Sequence, residues 1–148
     1  MTKLAQKHSI ITGGGTGIGL AIAHSLGEGG AKVTIMGRNL ERLRECLKDL
    51  PNAQAIQIDV TSEASVKEAM ETAIANFGPC DILINNAGVA SSSPFHKLKL
   101  EDWENIISVN LTGTFLCSRE VFLDMKQINL LIVQKYILKK LLLKFDKS

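Results

Sequence analysis

The chain has 148 residues, 45% of them hydrophobic and 22% charged, with a formal net charge of +2. That length fits one domain with a sizeable core, and so small a charge gives no reason to expect nucleic acid or an anionic membrane as a partner. Three separated cysteines (Cys46, Cys80, Cys117) and three scattered histidines (His8, His24, His96) point to free thiols in a reducing compartment, against a disulfide framework or a zinc site.

The apolar run ending at Ile11 is too short for a signal peptide and no stretch approaches transmembrane length, so a cytoplasmic location is expected. His8 to Thr12 predicts a first strand, stopped by Gly13-Gly14-Gly15-Thr16-Gly17-Ile18-Gly19, which places five glycines in eight residues counted from Thr12. A helix follows with Leu20, Ala23 and Leu26 on one face, ended by Gly27, Gly29 and Gly30. A strand that breaks into a glycine loop and opens a helix suits a dinucleotide pyrophosphate. Glycine lets the backbone approach the phosphates, and several first-turn N–H groups converge on them. The plainer alternative is a glycine-rich surface turn.

Ala31 to Met36 is β-branched and apolar, a buried second strand. Asn39 caps a second helix carrying Leu40, Leu43, Leu47 and Leu50 until Pro51 stops it. Ala53 to Ile58 is a third strand. Thr61 or Ser62 caps a third helix, with Val66, Met70, Ala73 and Phe77 facing inward. Gly78-Pro79 forces a turn, and Asp81 to Asn85 supplies a fourth strand. A loop through Ser91-Ser92-Ser93-Pro94-Phe95 leads into a long helix, Leu100 to Met125, with Ile106, Ile107, Val109, Phe115 and Leu116 expected to be buried and Trp103 expected to pack. Alternating strands and helices at this spacing imply right-handed crossovers and an α/β, doubly wound parallel sheet. The glycine loop, Arg38, Asp59 and Asn85-Asn86-Ala87-Gly88 then fall at or just after the carboxyl ends of the strands, where such sheets bind ligands.

The glycine spacing is T-G-x-x-x-G-x-G, not G-x-G-x-x-G. With Asn85-Asn86-Ala87-Gly88 after the fourth strand and Asn110 in the long helix, the chain closely resembles the short-chain dehydrogenases/reductases from about residue 5 to about residue 126. The resemblance implies a Rossmann-type fold that uses NAD(H) or NADP(H) to move hydride between alcohols and carbonyls. It implies that Gly13, Gly17 and Gly19 form the cofactor loop and that Thr16 and Ile18 lie against the phosphates. Asp59 and Val60 would contact the adenine, while Asn86, Ala87 and Gly88 would line the adenosine and ribose. Asn110 matches the helix asparagine that holds a water in the proton relay; taken alone, a mid-helix asparagine is more often a polar packing residue. For Asn85-Asn86 the plainer reading is turn chemistry. A homo-oligomer formed through the 100–125 helix is a further expectation.

At the end of the second strand, Met36-Gly37-Arg38-Asn39 has no carboxylate before Glu41. Members that prefer NAD usually place an acid there. The planar fork of Arg38 suits a 2′-phosphate, and Gly37 leaves room for it, so NADP(H) is expected over NAD(H). A solvated arginine is the plainer alternative, and Thr16 stands where many NADP users carry a basic residue.

Past Lys126 the family pattern stops. The sequence divides into a cofactor-binding unit, 1–126, and an atypical Leu/Lys-rich tail, 127–148, in which five residues are lysine. Ile128 to Val133 could form a fifth strand, but Gln134-Lys135 follow it with no serine near. Tyr136 and Lys140 have the family's Tyr-x-x-x-Lys spacing but stand too close to that strand for the catalytic geometry. The expectation is a truncated or frame-shifted chain, its sheet ending at the fourth or fifth strand, with little activity alone. The alternatives are a noncatalytic dinucleotide-binding or interaction module and a non-functional remnant.

Overall fold

The computed structural model describes residues 4–127 and 133–135. Five parallel strands form one sheet in the order β3-β2-β1-β4-β5, with β1 at His8–Thr12, β2 at Lys32–Gly37, β3 at Ala53–Gln57, β4 at Ile82–Asn85 and β5 at Val133–Lys135. β1 is central and every residue in it is buried. Its neighbours run in register with it, Ile11 lying beside Ile35 of β2 and beside Ile84 of β4. The chain therefore winds outward from β1 to β3 and crosses back to β4, leaving a crevice at the carboxyl end of β1.

Alternation along the strands divides the core in two. Ile11, Val33 and Ile35 point to one face, where they meet Ala23 of α1 (Gly17–Glu28) and Leu43 of α2 (Leu40–Cys46). Ile10, Met36 and Leu83 point to the other, against Val66 and Met70 of α3 (Glu63–Phe77) and against Leu116, Val121 and Met125 of α5 (Gly113–Gln127). Both predicted caps form: the Asn39 side chain accepts from the Arg42 N–H at 3.0 Å, and Ser62 from the Ser65 N–H at 3.3 Å.

At the other end of the sheet, His8 anchors a buried polar chain. Its Nδ1 lies 2.7 Å from the Gly78 carbonyl, which can only accept, so Nδ1 carries the proton. Nε2 then accepts from the Thr34 hydroxyl at 2.7 Å, and Thr34 accepts in turn from Gln54 Nε2 at 2.8 Å.

Five differences from the predicted elements matter. Gly27 does not end the first helix; it is buried within α1, and Gly29 is the cap. The predicted Leu100 to Met125 helix is continuous but not uniform: α4 (Leu100–Ile107) passes through a π-helical turn, Ser108–Thr112, into α5. Phe115 is 58% exposed instead of buried, and Ile106, Ile107 and Val109 are only half-buried. Leu100–Lys126, 27 residues, contains an 18-residue window with a mean hydropathy of 1.2, long and apolar enough by those two measures to cross a bilayer, contrary to expectation. Its inner face nonetheless carries Leu116, Cys117, Val121 and Met125 into the core, as the covering helix of a sheet does. β5 pairs with β4 as Leu83 to Val133 and Asn85 to Lys135, so the strand reaches two residues beyond the predicted Val133. Residues 128–132, Tyr136, Lys140 and the rest of the tail lie outside the described residues.

Candidate functional site

Four segments meet at the carboxyl edge of the sheet. The loop between β1 and α1 is the first. Thr16 takes the N-cap position of α1 but makes no side-chain capping bond, and the first turn holds no acidic residue. α2 and α3 differ, each capped by a side chain and each with a glutamate, Glu41 or Glu63, in its first turn. The leading N–H groups of α1 are thus left for an anion, at the positive end of the helix dipole. Thr16, Gly17 and Ile18 are exposed around them. Gly17 has φ of +50°, and a Cβ there would meet nothing within 4 Å, so it faces open space.

The second segment is the turn after β4, and it is locked to the first. Asn86 Nδ2 donates to the carbonyls of Thr12 at 3.2 Å and Gly13 at 3.0 Å. In return Thr12 Oγ1 accepts from the N–H groups of Asn86 and Ala87, each at 3.1 Å. Gly19 lies against this interlock: a Cβ on it would stand far inside van der Waals contact of the Gly13 carbonyl oxygen and Asn86 Nδ2. The Asn86 side chain therefore shapes the cleft by holding the glycine loop, while Ala87 and Gly88 form the turn itself. Thr12 is a hub that the sequence reading passed over, although the threonine opening T-G-x-x-x-G-x-G was the available signal. Asn85, 2% exposed, donates to Ser118 Oγ of α5 at 3.1 Å.

Arg38 and Asp59 follow β2 and β3. Arg38 is exposed, and no ion pair or hydrogen bond engages its guanidinium among the described residues. Asp59 Oδ1 accepts from Thr61 Oγ1 at 2.7 Å and from the Thr61 N–H at 2.9 Å. Those two bonds, with a smaller contribution from Arg38, hold its carboxyl below the usual carboxylate pKa. Val60 is nearly buried and belongs to the core packed under α5.

The π turn supplies the fourth segment. Asn110, 7% exposed, makes a reciprocal pair with the segment just beyond Gly88: its Oδ1 accepts from the Val89 N–H at 3.1 Å, and its Nδ2 donates to the Val89 carbonyl at 2.7 Å. Thr114 Oγ1 donates to the Asn110 carbonyl at 2.7 Å. The side chain that the sequence singled out is thus engaged in fixing the extended loop after the Asn86 turn. π turns of this kind concentrate at functional sites.

All the residues predicted for the site lie along one edge: Gly13 to Gly19, Arg38, Asp59, Val60, Asn86 to Gly88 and, behind them, Asn110. A hollow of about 240 Å³ lined by Ile56, Gln57, Ser65, Glu68, Ala69 and Thr72 lies between β3 and α3 and includes none of the glycine loop.

Comparison with known proteins agrees with this geometry. A family model described as short chain dehydrogenase matches residues 7–134. An uncharacterized oxidoreductase of Staphylococcus aureus (strain N315) is 40% identical over 116 residues, which is 77% of this chain and 50% of that protein. One from Staphylococcus epidermidis (strain ATCC 12228) is 36% identical over 115 residues, with the same two shares. The chain spans about half the length of the curated relatives it matches. Among solved structures, a metagenomic short-chain oxidoreductase in complex with NADP superimposes with a TM-score of 0.80 at 31% identity, covering 88% of this chain and 61% of that one. A protein of Novosphingobium aromaticivorans described as a short-chain dehydrogenase gives 0.80 at 28%, covering 86% and 48%.

Proposed function

Because the chain belongs to the short-chain dehydrogenase family, we propose that this edge of its sheet binds NADP(H) in preference to NAD(H). The observation that carries the proposal is the uncapped start of α1, held open at the β1/β4 crevice by the interlock of Thr12, Gly13 and Asn86. When bound, the cofactor supplies hydride to a carbonyl or accepts it from an alcohol. Gly13, Thr16, Gly17, Ile18 and Gly19 would hold its pyrophosphate, with Gly17 leaving the space for it. Asp59 and Val60 would face the adenine, and Asn86, Ala87 and Gly88 would form the wall beside the ribose. Arg38, without a carboxylate partner among the described residues, would take the 2′-phosphate. The NADP complex of the metagenomic relative supports the same choice.

For the whole protein the activity we propose is hydride transfer between NADP(H) and an alcohol or carbonyl. Residues 1–126 are the cofactor-holding unit in this reading and 127–148 the tail. The family's tyrosine general acid has no counterpart among the described residues, the single tyrosine being Tyr136. Loss of such a group lowers rates about 10²–10⁴-fold, so binding with little turnover is the expected behaviour of this chain. Asn110 keeps a positioning role through Val89.

The reading extends to the outer face of α4 and α5. Leu100, Trp103, Leu111, Phe115, Phe122 and Leu123 are all at least 45% exposed there, and we take a second copy of the chain as their cover. A cytoplasmic location fits the free cysteines Cys46, Cys80 and Cys117.

Calorimetric titration with NADPH and NADH tests the proposal. Saturable binding with NADPH the tighter ligand is expected, without carbonyl reduction. Arg38→Ala should weaken NADPH by about tenfold or more, as removal of a charge-assisted bond does, and leave NADH unchanged. A folded sample that binds neither nucleotide overturns it. Leu123→Glu should convert a dimer to monomer by size-exclusion with light scattering; a wild-type monomer at all concentrations removes the oligomer from the reading.

A further inference from the structure

Arg38 follows the last residue of β2, and its backbone is held from the neighbouring edge strand. The Gly37 carbonyl accepts from the Ile58 N–H at 3.0 Å, and the Arg38 carbonyl accepts from Gln57 Nε2 at 2.9 Å. On the far side, Asn39 is fixed as the cap of α2 by its bond to the Arg42 N–H. Gln57 stands directly opposite Gly37 in the β2/β3 register and is the last residue of the edge strand. Its side chain is exposed, and an exposed glutamine at a strand end would ordinarily be solvated. Here it reaches back across the sheet to a peptide 19 residues earlier.

That bond fixes the direction in which the Arg38 side chain leaves the backbone. Direction matters because Arg38 has a competing anion. Asp59 is near enough for the guanidinium to lower its carboxyl pKa, though Thr61 already supplies two donors to Oδ1. A loosened Arg38 peptide would let the guanidinium settle on Asp59.

From this arrangement we infer that Gln57 is a specificity-determining positioning residue, which aims Arg38 at the 2′-phosphate and so sets the preference between NADP(H) and NAD(H). The inference rests on the assignment of Arg38 to that phosphate. NADPH and NADH differ only in this group, so a fault in the aim of Arg38 registers in one ligand and not in the other. A general structural role for Gln57 would weaken both together.

The experiment compares wild type, Arg38→Ala, Gln57→Met and Gln57→Lys by calorimetric titration with NADPH and with NADH, alongside thermal melting. Met keeps the length and removes the donor; Lys restores a donor. Gln57→Met should lower NADPH affinity about two- to tenfold, the range of one modest hydrogen bond. NADH affinity and melting should stay at wild-type values, and Gln57→Lys should recover much of the NADPH affinity. An unchanged NADPH:NADH ratio in Gln57→Met, or equal losses for both nucleotides, overturns the inference while the Arg38 assignment stands. A wild-type chain indifferent to the 2′-phosphate, with Arg38→Ala no different, overturns that assignment and the inference with it.

Discussion

The interlock between the glycine loop and the Asn86 turn can be opened with one methyl group. Gly19 lies within the first turn of α1, where alanine is intrinsically better by about 1 kcal/mol. Propensity alone therefore predicts that Gly19→Ala stabilises the chain. The structure predicts the reverse. The new Cβ would overlap the Gly13 carbonyl oxygen and Asn86 Nδ2, and neither can yield freely. Gly13 is backbone, and the Asn86 amide is tied to two carbonyls. Overpacking of this kind costs about 1–3 kcal/mol, and displacing Asn86 forfeits two hydrogen bonds worth about 0.5–1.5 kcal/mol each. Set against the helix gain of about 1 kcal/mol, the net loss is about 1–5 kcal/mol. At about 2–4 °C per kcal/mol for a chain near this size, the melting point should fall by about 2–20 °C.

Gly17→Ala is the control. No atom lies within 4 Å of its added Cβ, so only the left-handed φ of +50° opposes it, at about 1–2 kcal/mol. Melting should drop by only about 2–8 °C, whereas NADPH affinity should drop by more than about tenfold, because the methyl enters the space assigned to the pyrophosphate. Differential scanning calorimetry with nucleotide titration of both variants separates the two effects. If Gly19→Ala melts at or above wild type, helix propensity governs and the interlock contributes little. If Gly17→Ala binds NADPH normally, the pyrophosphate does not lie over Gly17.

The Asn110 pair gives a second expectation: Asn110→Ala strands the N–H and carbonyl of Val89 and should destabilise the chain by about 2–4 kcal/mol, read as a lower urea midpoint. Stability should also fall in mild acid through His8, whose pKa burial lowers from 6.5 despite the opposing pull of Asp81 and the Gly78 carbonyl, with Lys32 acting in the same sense as burial. The folded chain takes up that proton less readily than the unfolded one, so the contribution is complete above about pH 6.5 and is lost as pH falls below it. A urea midpoint that is flat from pH 7.5 to 5 would contradict this. Cys80 and Cys117 are buried, with thiol pKa values pushed up to about 12, so iodoacetamide at pH 8 should leave both untouched in the folded chain, while half-buried Cys46 is the one open to reaction. Mass spectrometry that finds Cys117 labelled before unfolding would show that α5 does not close over the sheet.

Much of this edge was legible because its signals are local. A cap such as Asn39 or Ser62 needs only its own helix start, and a glycine loop needs only the strand before it and the helix after it. Alternation of strand and helix then places Arg38, Asp59 and Asn86 on one edge without knowledge of any contact. Bonds between distant segments left weaker traces. Thr12 reads as a strand residue until Asn86 and Ala87 are found on its hydroxyl, 74 and 75 residues later. Gln57 reads as a solvated strand end until its amide is found on Arg38.

The misplaced face of the long helix has a geometric cause. From Ile107 in α4, α-helical spacing of four points to Leu111 and then to Phe115 as the continuation of the inner stripe. Both are more than half exposed, at 52% and 58%, while Leu116, one residue further on, is 6% exposed. The π turn at Ser108–Thr112 accounts for the displacement, since it takes one residue more than an α turn and rotates everything beyond it by about 100°. The same extra residue turns Asn110 toward Val89 and brings Leu116, Cys117 and Val121 onto the sheet. An asparagine that reads as a mid-helix polar residue is therefore the hinge of the helix's phase. Deleting one residue of the π turn takes out the surplus residue itself, so Leu116 should stay on the sheet and Phe115 exposed, while Asn110 loses its pair with Val89, read as faster hydrogen exchange of the Val89 N–H.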